Sequence, residues 1–300
     1  MSVQVLTPAK LNLGLEVIRK RPDGFHELAT VFQTISVFDH LTLAESQYDE
    51  VEIVNRIDQI ESNLVQRALS VAREREITDR HWRVEVKKRI PIAAGLGGAS
   101  ADAAAALLAL AKSSNVSVND VAGVALELGS DVPFLLFGGA ALAHGRGEVL
   151  TRLPSLRNCW LVLATPAIEI ERKTARLFGA LLVDDFSDGR HVDRVAATMR
   201  ARQLPEPADL VNAFERALAE LMPEAIEIQQ LFVRSGAPFV ALSGAGPTHY
   251  TIASKLSDAI AIAQQLWAER PVPMRVLIAR PVSNGPLIRS VDTIFDGETL

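Results

Sequence analysis

The stretch Arg89 to Leu110, RIPIAAGLGGASADAAAALLAL, constrains this chain more than any other. It places Gly95, Gly97 and Gly98 between an alternating run, Trp82 to Arg89, and a segment so rich in Ala and Leu that only a helix suits it. The reading is strand, glycine loop from Pro91 to Gly98, then helix from Ala99 to Lys112. Glycines at such a junction let backbone amides approach an anion, and the helix start adds unpaired N–H donors and partial positive charge. Phosphate is the natural ligand. Two familiar phosphate motifs fail: no Lys-Ser/Thr follows the glycines, and G-L-G-G-A-S is not a full dinucleotide fingerprint. A tight strand-to-helix turn with no ligand remains open on the residues alone.

Before this loop, Leu11, Leu13, Leu15 and Val17 alternate with Asn12, Gly14, Glu16 and Ile18 up to the turn Arg21-Pro22-Asp23-Gly24, which predicts a hairpin. Strands are expected at 30–37, 41–44 and 51–54, followed by a helix through Leu64, Ala68, Leu69 and Ala72. Ser117 with Asp120 opens a further helix that Gly129 closes. In the second half an apolar strand, Trp160 to Ala164, precedes helices at 174–182, 192–202 and 210–221. The order from Ala225 is helix, strand 239–242, glycine loop, strand 250–253, helix 256–267 and strand 274–279. That order predicts two helices on one face of a mostly antiparallel sheet. The chain is therefore expected to be α+β with two domains, 1–154 and 155–300, divided near Leu153-Pro154-Ser155.

Lys10 and Asn12 share one face of the first strand by alternation. Asp131, in LGSDVPFLLFGG, follows a helix end among apolar neighbours, where a carboxylate must find donors, a cation or a reaction to assist. Capping of the next turn is the alternative role. Leu242-Ser243-Gly244-Ala245-Gly246-Pro247-Thr248 carries more glycine than a plain hairpin needs, so it predicts close approach to a ligand or to the first domain, with an ordinary loop still open.

Together, PAKLNLGL, PIAAGLGGASADAAAAL and LSGAGPT resemble the three signatures of the galactokinase, homoserine, mevalonate and phosphomevalonate (GHMP) kinase superfamily, in order and over most of the chain. PAKLNLGLEVIRKRPDGFHEL with LGSDVPFLLFGGAALAHGRGE is most similar to the branch that phosphorylates a cytidyl-linked sugar alcohol in non-mevalonate isoprenoid synthesis. The resemblance implies a ribosomal-protein-S5-like N-terminal domain and a ferredoxin-like C-terminal domain, with ATP and Mg²⁺ as cofactors and the metal carried mainly by ATP. It further implies Asp131 as the catalytic aspartate and Lys10 as the lysine paired with it. Pro91, Gly95, Leu96, Gly97, Gly98, Ala99 and Ser100 match the triphosphate loop, and Asn63 and Lys88 match positions on the adenosine side. For the acceptor it implies Asn12, His26 on the cytosine edge, Phe25 and Phe178 as stacking rings, and Gly244 and Gly246 in the third loop. Phe25 replaces a common Tyr, and Ala93, Ala94 and Ala99 replace frequent glycines, which a donor loop tolerates only if those residues need no positive φ.

Two other readings stay open: a homoserine- or mevalonate-type acceptor, against which PDGFHEL argues, and a non-catalytic nucleotide-binding protein, against which Lys10 and Asp131 argue. The formal net charge of −5 excludes a basic nucleic-acid-binding domain as the default, and the longest charge-free runs are broken by Pro, Gly, Ser and Thr, unlike a membrane span. The start MSVQVLTPAK does not read as a secretory signal, and Cys159, the only cysteine, fits a reducing compartment, so the expectation is a cytoplasmic monomer or homodimer acting on a small molecule.

Overall fold

The computed structural model describes residues 2–54 and 64–290. The chain opens with two long strands, β1 (Ser2–Lys20) and β2 (His26–Ser46), joined by the turn at Arg21 to Gly24, as the alternation requires. The polar residues around Asp39 do not divide β2 as expected. The Asp39 side chain is fully buried and accepts the amides of Arg89 and Ile90, so the strand runs through it and register shifts absorb the irregularity. Then follow β3 (Glu50–Val54), α1 (Leu64–Glu74), β4 (His81–Lys87), α2 (Gly98–Ser113), α3 (Val118–Leu128), α4 (Val132–Phe137), β5 (Ala140–Gly145) and β6 (Val149–Leu153). β2 pairs with β1, with β4 through its C-terminal half and with β5 through its N-terminal half; among the described strand pairs of this sheet only β3 against β4 is parallel. The Ala- and Leu-rich α2 is buried on nearly all sides, which is why its sequence shows no polar stripe.

The second half supplies β7 (Trp160–Pro166), α5 (Lys173–Gly179), α6 (Arg190–Arg200), α7 (Glu215–Leu221), α8 (Glu224–Arg234), β8 (Ala241–Leu242), β9 (His249–Ala253), α9 (Leu256–Ala268) and β10 (Met274–Ala279). Its four-stranded sheet, in order β10-β7-β9-β8, is antiparallel, with Ile228, Leu231 and Phe232 of α8 and Ile262 and Leu266 of α9 in its core. The helix expected at 210–221 starts only at Glu215, because Asn212 is used by backbone: its amide donates to the carbonyls of Leu242 and Gly244. A last strand, β11 (Leu287–Ser290), returns to the first sheet and pairs with β1.

Mid-β1 has no solvent face. Leu11 and Leu13 point into the α2 core, whereas the polar alternates are covered by the second half of the chain. Leu15 N donates to Val211 O at 2.8 Å, Ala213 N donates to Leu15 O at 2.9 Å, and Val192 N donates to Glu16 Oε2 at 2.8 Å. Asn12 and Glu16 are thus buried polar groups with partners across the two halves.

Candidate active site

The three glycine-bearing segments meet at Lys10. Its side chain is buried; its ammonium donates to Asn12 Oδ1 at 2.7 Å, pairs with Asp131 Oδ2 at 3.2 Å and sits 4.9 Å from the centre of the Phe32 ring. Asn12 is oriented in turn, since its amide donates to Thr30 Oγ1, which donates to the carbonyl of Gly14. Asp131 stands at the N-terminus of α4, but its side chain makes no capping bond there. The capping alternative is therefore excluded, and the carboxylate, 29% exposed, pairs with Lys10 and keeps a side open to solvent.

The loop before α2 docks on the same strand, with Lys10 N donating to Leu96 O at 3.0 Å. Gly97, at φ +70°, precedes the helix, and the first i to i−4 bond of α2 is Ala101 N to Gly97 O. The amides of Gly98, Ala99 and Ser100 thus lie in the turn whose N–H groups find no carbonyl inside the helix. A Cβ on Gly97 would come 2.9 Å from Lys10 Cγ, so glycine here lets the loop backbone lie against the lysine. An open cavity of about 220 Å³ borders this turn, lined by Leu64, Pro91, Ala94, Gly95, Gly97, Gly98, Ala99 and Ser100.

The third glycine segment closes the site from the second half. Ser243 Oγ donates to Gly95 O at 3.0 Å and accepts from Asn12 N at 3.3 Å. A Cβ on Gly244 would lie 3.0 Å from Asn12 Oδ1 and 3.6 Å from Lys10 Nζ. Gly246 has a different role, since a Cβ there would meet Leu242 and Leu218 in the apolar core. Close approach to the first domain, one of the alternatives read from the glycine content, is what this loop makes.

Lys88 also borders the cavity, with its ammonium held between Asp39 and Asp102, at 2.5 and 2.6 Å. Burial works against that ammonium, but the charges of Asp102 and Asp39 outweigh it and hold its pKa above the usual lysine value. Burial raises the Asp102 carboxyl well above the ordinary range, and Asp39's charge adds to the shift against the pull of Lys88. Asn63 lies outside the described residues.

Where β1 ends and β2 begins lie the rings expected to meet the acceptor's base, whereas Asn12 and Gly244 lie at Lys10. His26 stacks on Phe178 with ring centres 4.7 Å apart and planes at 18°, Phe186 lies 6.2 Å away, and Phe214 meets Phe178 edge-on. Burial, and then the charge of Lys20, lower the His26 pKa, so the ring is neutral near pH 7 and presents one donor and one acceptor. Phe25 is half-exposed on the hairpin tip, with the Arg146 guanidinium 4.3 Å from its ring centre. One expectation about the loop is corrected. Ala93 does take positive φ, +51°, and its carbonyl is held by Lys173, a contact no pattern in the sequence signals. Ser243, Thr30, Asp39 and Asp102 carry no separate signal in the sequence; of these Ser243 and Asp102 lie inside the quoted motifs, LSGAGPT and PIAAGLGGASADAAAAL.

A two-domain α+β chain in which a glycine loop opens a helix beside a Lys–Asp pair, closed by a third glycine segment, is a GHMP-type small-molecule kinase. The family model for the GHMP kinases N terminal domain matches residues 63–139, and that for the GHMP kinases C terminal matches 194–271. A 4-diphosphocytidyl-2-C-methyl-D-erythritol kinase from Dehalococcoides mccartyi (strain ATCC BAA-2100 / JCM 16839 / KCTC 5957 / BAV1) is 37% identical over 251 residues, 83% of this chain and 88% of the relative. One from Geobacillus sp. (strain WCH70) is 35% identical over 254 residues, 83% and 87% of the two chains. A crystal structure of 4-(cytidine 5'-diphospho)-2C-methyl-D-erythritol kinase superposes with TM-score 0.75 at 31% identity, covering 92% of this chain and 98% of that one. A homoserine kinase from Cytophaga hutchinsonii, at 18% identity and TM-score 0.70, shares the fold. The chain belongs to the 4-diphosphocytidyl-2-C-methyl-D-erythritol kinase family of the GHMP superfamily.

Proposed function

We propose that the protein transfers the γ-phosphoryl group of ATP to the C2 hydroxyl of 4-diphosphocytidyl-2-C-methyl-D-erythritol, a step of the non-mevalonate isoprenoid pathway, with the turn at Gly95 to Ser100 holding the triphosphate. Asp131 takes the proton of the acceptor hydroxyl as its oxygen bonds to the γ-phosphorus; the bond from phosphorus to the β–γ bridging oxygen breaks, and ADP leaves with that electron pair. Lys10, held by Asn12, sets a positive charge beside the acceptor oxygen as it becomes negative. The observation that carries this reading is the contact of Gly97 with Lys10: the backbone that opens the helix packs on the stem of the lysine whose ammonium pairs with Asp131.

Mg²⁺ fits this donor set as a companion of the nucleotide. Among the described residues no group of three or more His, Cys, Asp or Glu side chains could hold a metal, and Mg²⁺ commonly takes most of its oxygens from phosphates and water. The Ser100 hydroxyl is the side-chain oxygen the loop itself offers. Bound there, the ion would neutralise charge on the phosphate oxygens.

His26, neutral and ringed by Phe178 and Phe186, supports a cytosine-bearing acceptor, and Phe25 adds a further aromatic face at the hairpin tip. ADP release measured with the cytidyl compound, and with methylerythritol phosphate, homoserine and mevalonate in its place, tests the assignment. Turnover confined to the cytidyl compound is expected; equal turnover with an acceptor lacking the nucleotide would replace it.

A further inference from the structure

The loop that carries the first glycines is fastened from behind by a lysine outside all three signatures. Lys173, the first residue of α5, is buried, and its ammonium donates to the carbonyl oxygens of Ala93 and Gly246. Burial pulls the pKa of this amine down to about 8, and among the described residues no carboxylate charge opposes the shift. A buried cation served only by neutral carbonyls costs stability unless the fold needs the bonds it makes.

What those bonds hold is specific. Ala93 sits at φ +51°, a conformation that a residue with a Cβ rarely adopts and that persists only where its surroundings enforce it. In a trans peptide the N–H points opposite to the C=O. Drawing the Ala93 carbonyl towards Lys173 therefore turns the Ala94 amide the other way; both residues line the cavity beside the helix start. The second carbonyl, Gly246 O, belongs to the loop whose Ser243 and Gly244 reach Gly95, Asn12 and Lys10.

We propose that Lys173 is a positioning residue for phosphoryl transfer, pinning the strained Ala93–Ala94 peptide and the third glycine loop together so that the phosphate loop keeps its anion-binding shape. This rests on the reading of Gly95 to Ser100 as the ATP loop. Lys173 acts through backbone and needs no contact with the reacting atoms.

Lys173→Met keeps the stem and removes the donors. ATP affinity by calorimetry, KM for each substrate, kcat and thermal unfolding are to be measured on the same preparations. We expect Kd and KM for ATP to rise about tenfold, the loss of a charged buried hydrogen-bond donor, with KM for the acceptor changed less than about twofold. Adding Ala93→Gly should restore most of the ATP affinity, because glycine takes that φ without strain; a lysine that only fills space would show no such rescue. ATP affinity unchanged in Lys173→Met, or a double variant no better than the single one, overturns the proposal. If Lys173→Met does not fold, the double variant decides: a folded protein with near-normal ATP affinity supports the proposal, and anything else rejects it. Gly97→Val, run in parallel, separates the two readings: if it binds ATP normally the loop assignment itself is wrong, whereas a silent Lys173→Met beside a non-binding Gly97→Val removes only the proposal.

Discussion

Lys10 and Asp131 stand 3.2 Å apart, charge to charge, and the lysine is the more buried partner, while the carboxylate keeps an open side. That asymmetry suits a base that must meet an acceptor and a cation that must stay fixed. Asp131→Asn preserves shape and removes the base, so kcat should fall roughly 10²- to 10⁴-fold with ATP affinity kept. Lys10→Met should also lower kcat. If it instead raised KM for ATP at unchanged kcat, Lys10 would belong to the phosphate site. Stopped-time ADP assays and calorimetric ATP titration on each variant check both statements.

Gly95 and Gly97 should fail differently. A Cβ on Gly95 would land on the carbonyl oxygen of Ser243 and 2.9 Å from Gly246 N, both backbone atoms of the opposing loop, so Gly95→Ala should force the two loops apart and lower thermal stability along with ATP binding. A side chain on Gly97 meets the flexible stem of Lys10 and, on the proposed reading, crowds the space for the triphosphate. Gly97→Val should therefore lose nucleotide binding before folding fails and should lower the residual kcat by moving Lys10. Circular dichroism beside ATP titration distinguishes the two patterns.

The strand, glycine loop and helix at Trp82 to Lys112 were legible because they are local, the glycines and the helix start being written within a few residues of each other, and the Lys10–Asn12 alternation is equally local to its own strand. So was the Arg21 to Gly24 turn. The burial of Asn12 and Glu16 was not, since an alternating strand reads as half-solvated and the covering layer comes from Val192, Val211 and Ser243, far along the chain. β11 was missed for a related reason: four residues near the end of the chain acquire strand character only by pairing with β1. Lys173 looks like an ordinary helix-start lysine until the fold brings Ala93 and Gly246 to it.

Lys88, Asp39 and Asp102 form a buried cluster of one cation and two acids, and it should set the stability of the cavity wall. Lys88→Met leaves Asp39 buried without its cation and should cost about 3–5 kcal/mol in unfolding free energy. Asp102 behaves in the opposite sense. Its pKa is raised in the fold by burial, so its contribution is fully present at low pH and is lost as pH rises through the raised value. Asp102→Asn, which stays neutral at every pH, should therefore match wild type best in acid and become the more stable of the two as pH rises from the ordinary carboxylate range to the raised value. Urea unfolding across about pH 4 to 9 reads this directly, and a variant that is strongly destabilised at pH 7 would show that Asp102 needs its charge.

His26 is the group whose protonation state should choose the acceptor. Its pKa lies below the ordinary 6.5 because burial disfavours the imidazolium and Lys20 repels it, so acceptor binding should hold through pH 6.5 and weaken only below it, as the ring gains a proton and loses its acceptor nitrogen. ATP binding, which does not involve His26, should not follow that titration. The base itself tests the edge: exchanging cytosine for uracil turns an amino donor into a carbonyl acceptor, and one unpaired buried partner costs about 1–3 kcal/mol, or about 5- to 150-fold in kcat/KM. His26→Ala should lower kcat/KM for the cytidyl substrate, abolish the acid limb in acceptor KM and narrow the preference over the uridyl analogue. Phe25→Tyr should be nearly silent, since Phe25 is half-exposed and a tyrosine keeps the face that meets Arg146. A preference for cytosine that survives unchanged in His26→Ala would move base recognition to another residue and leave the His26–Phe178 stack as packing.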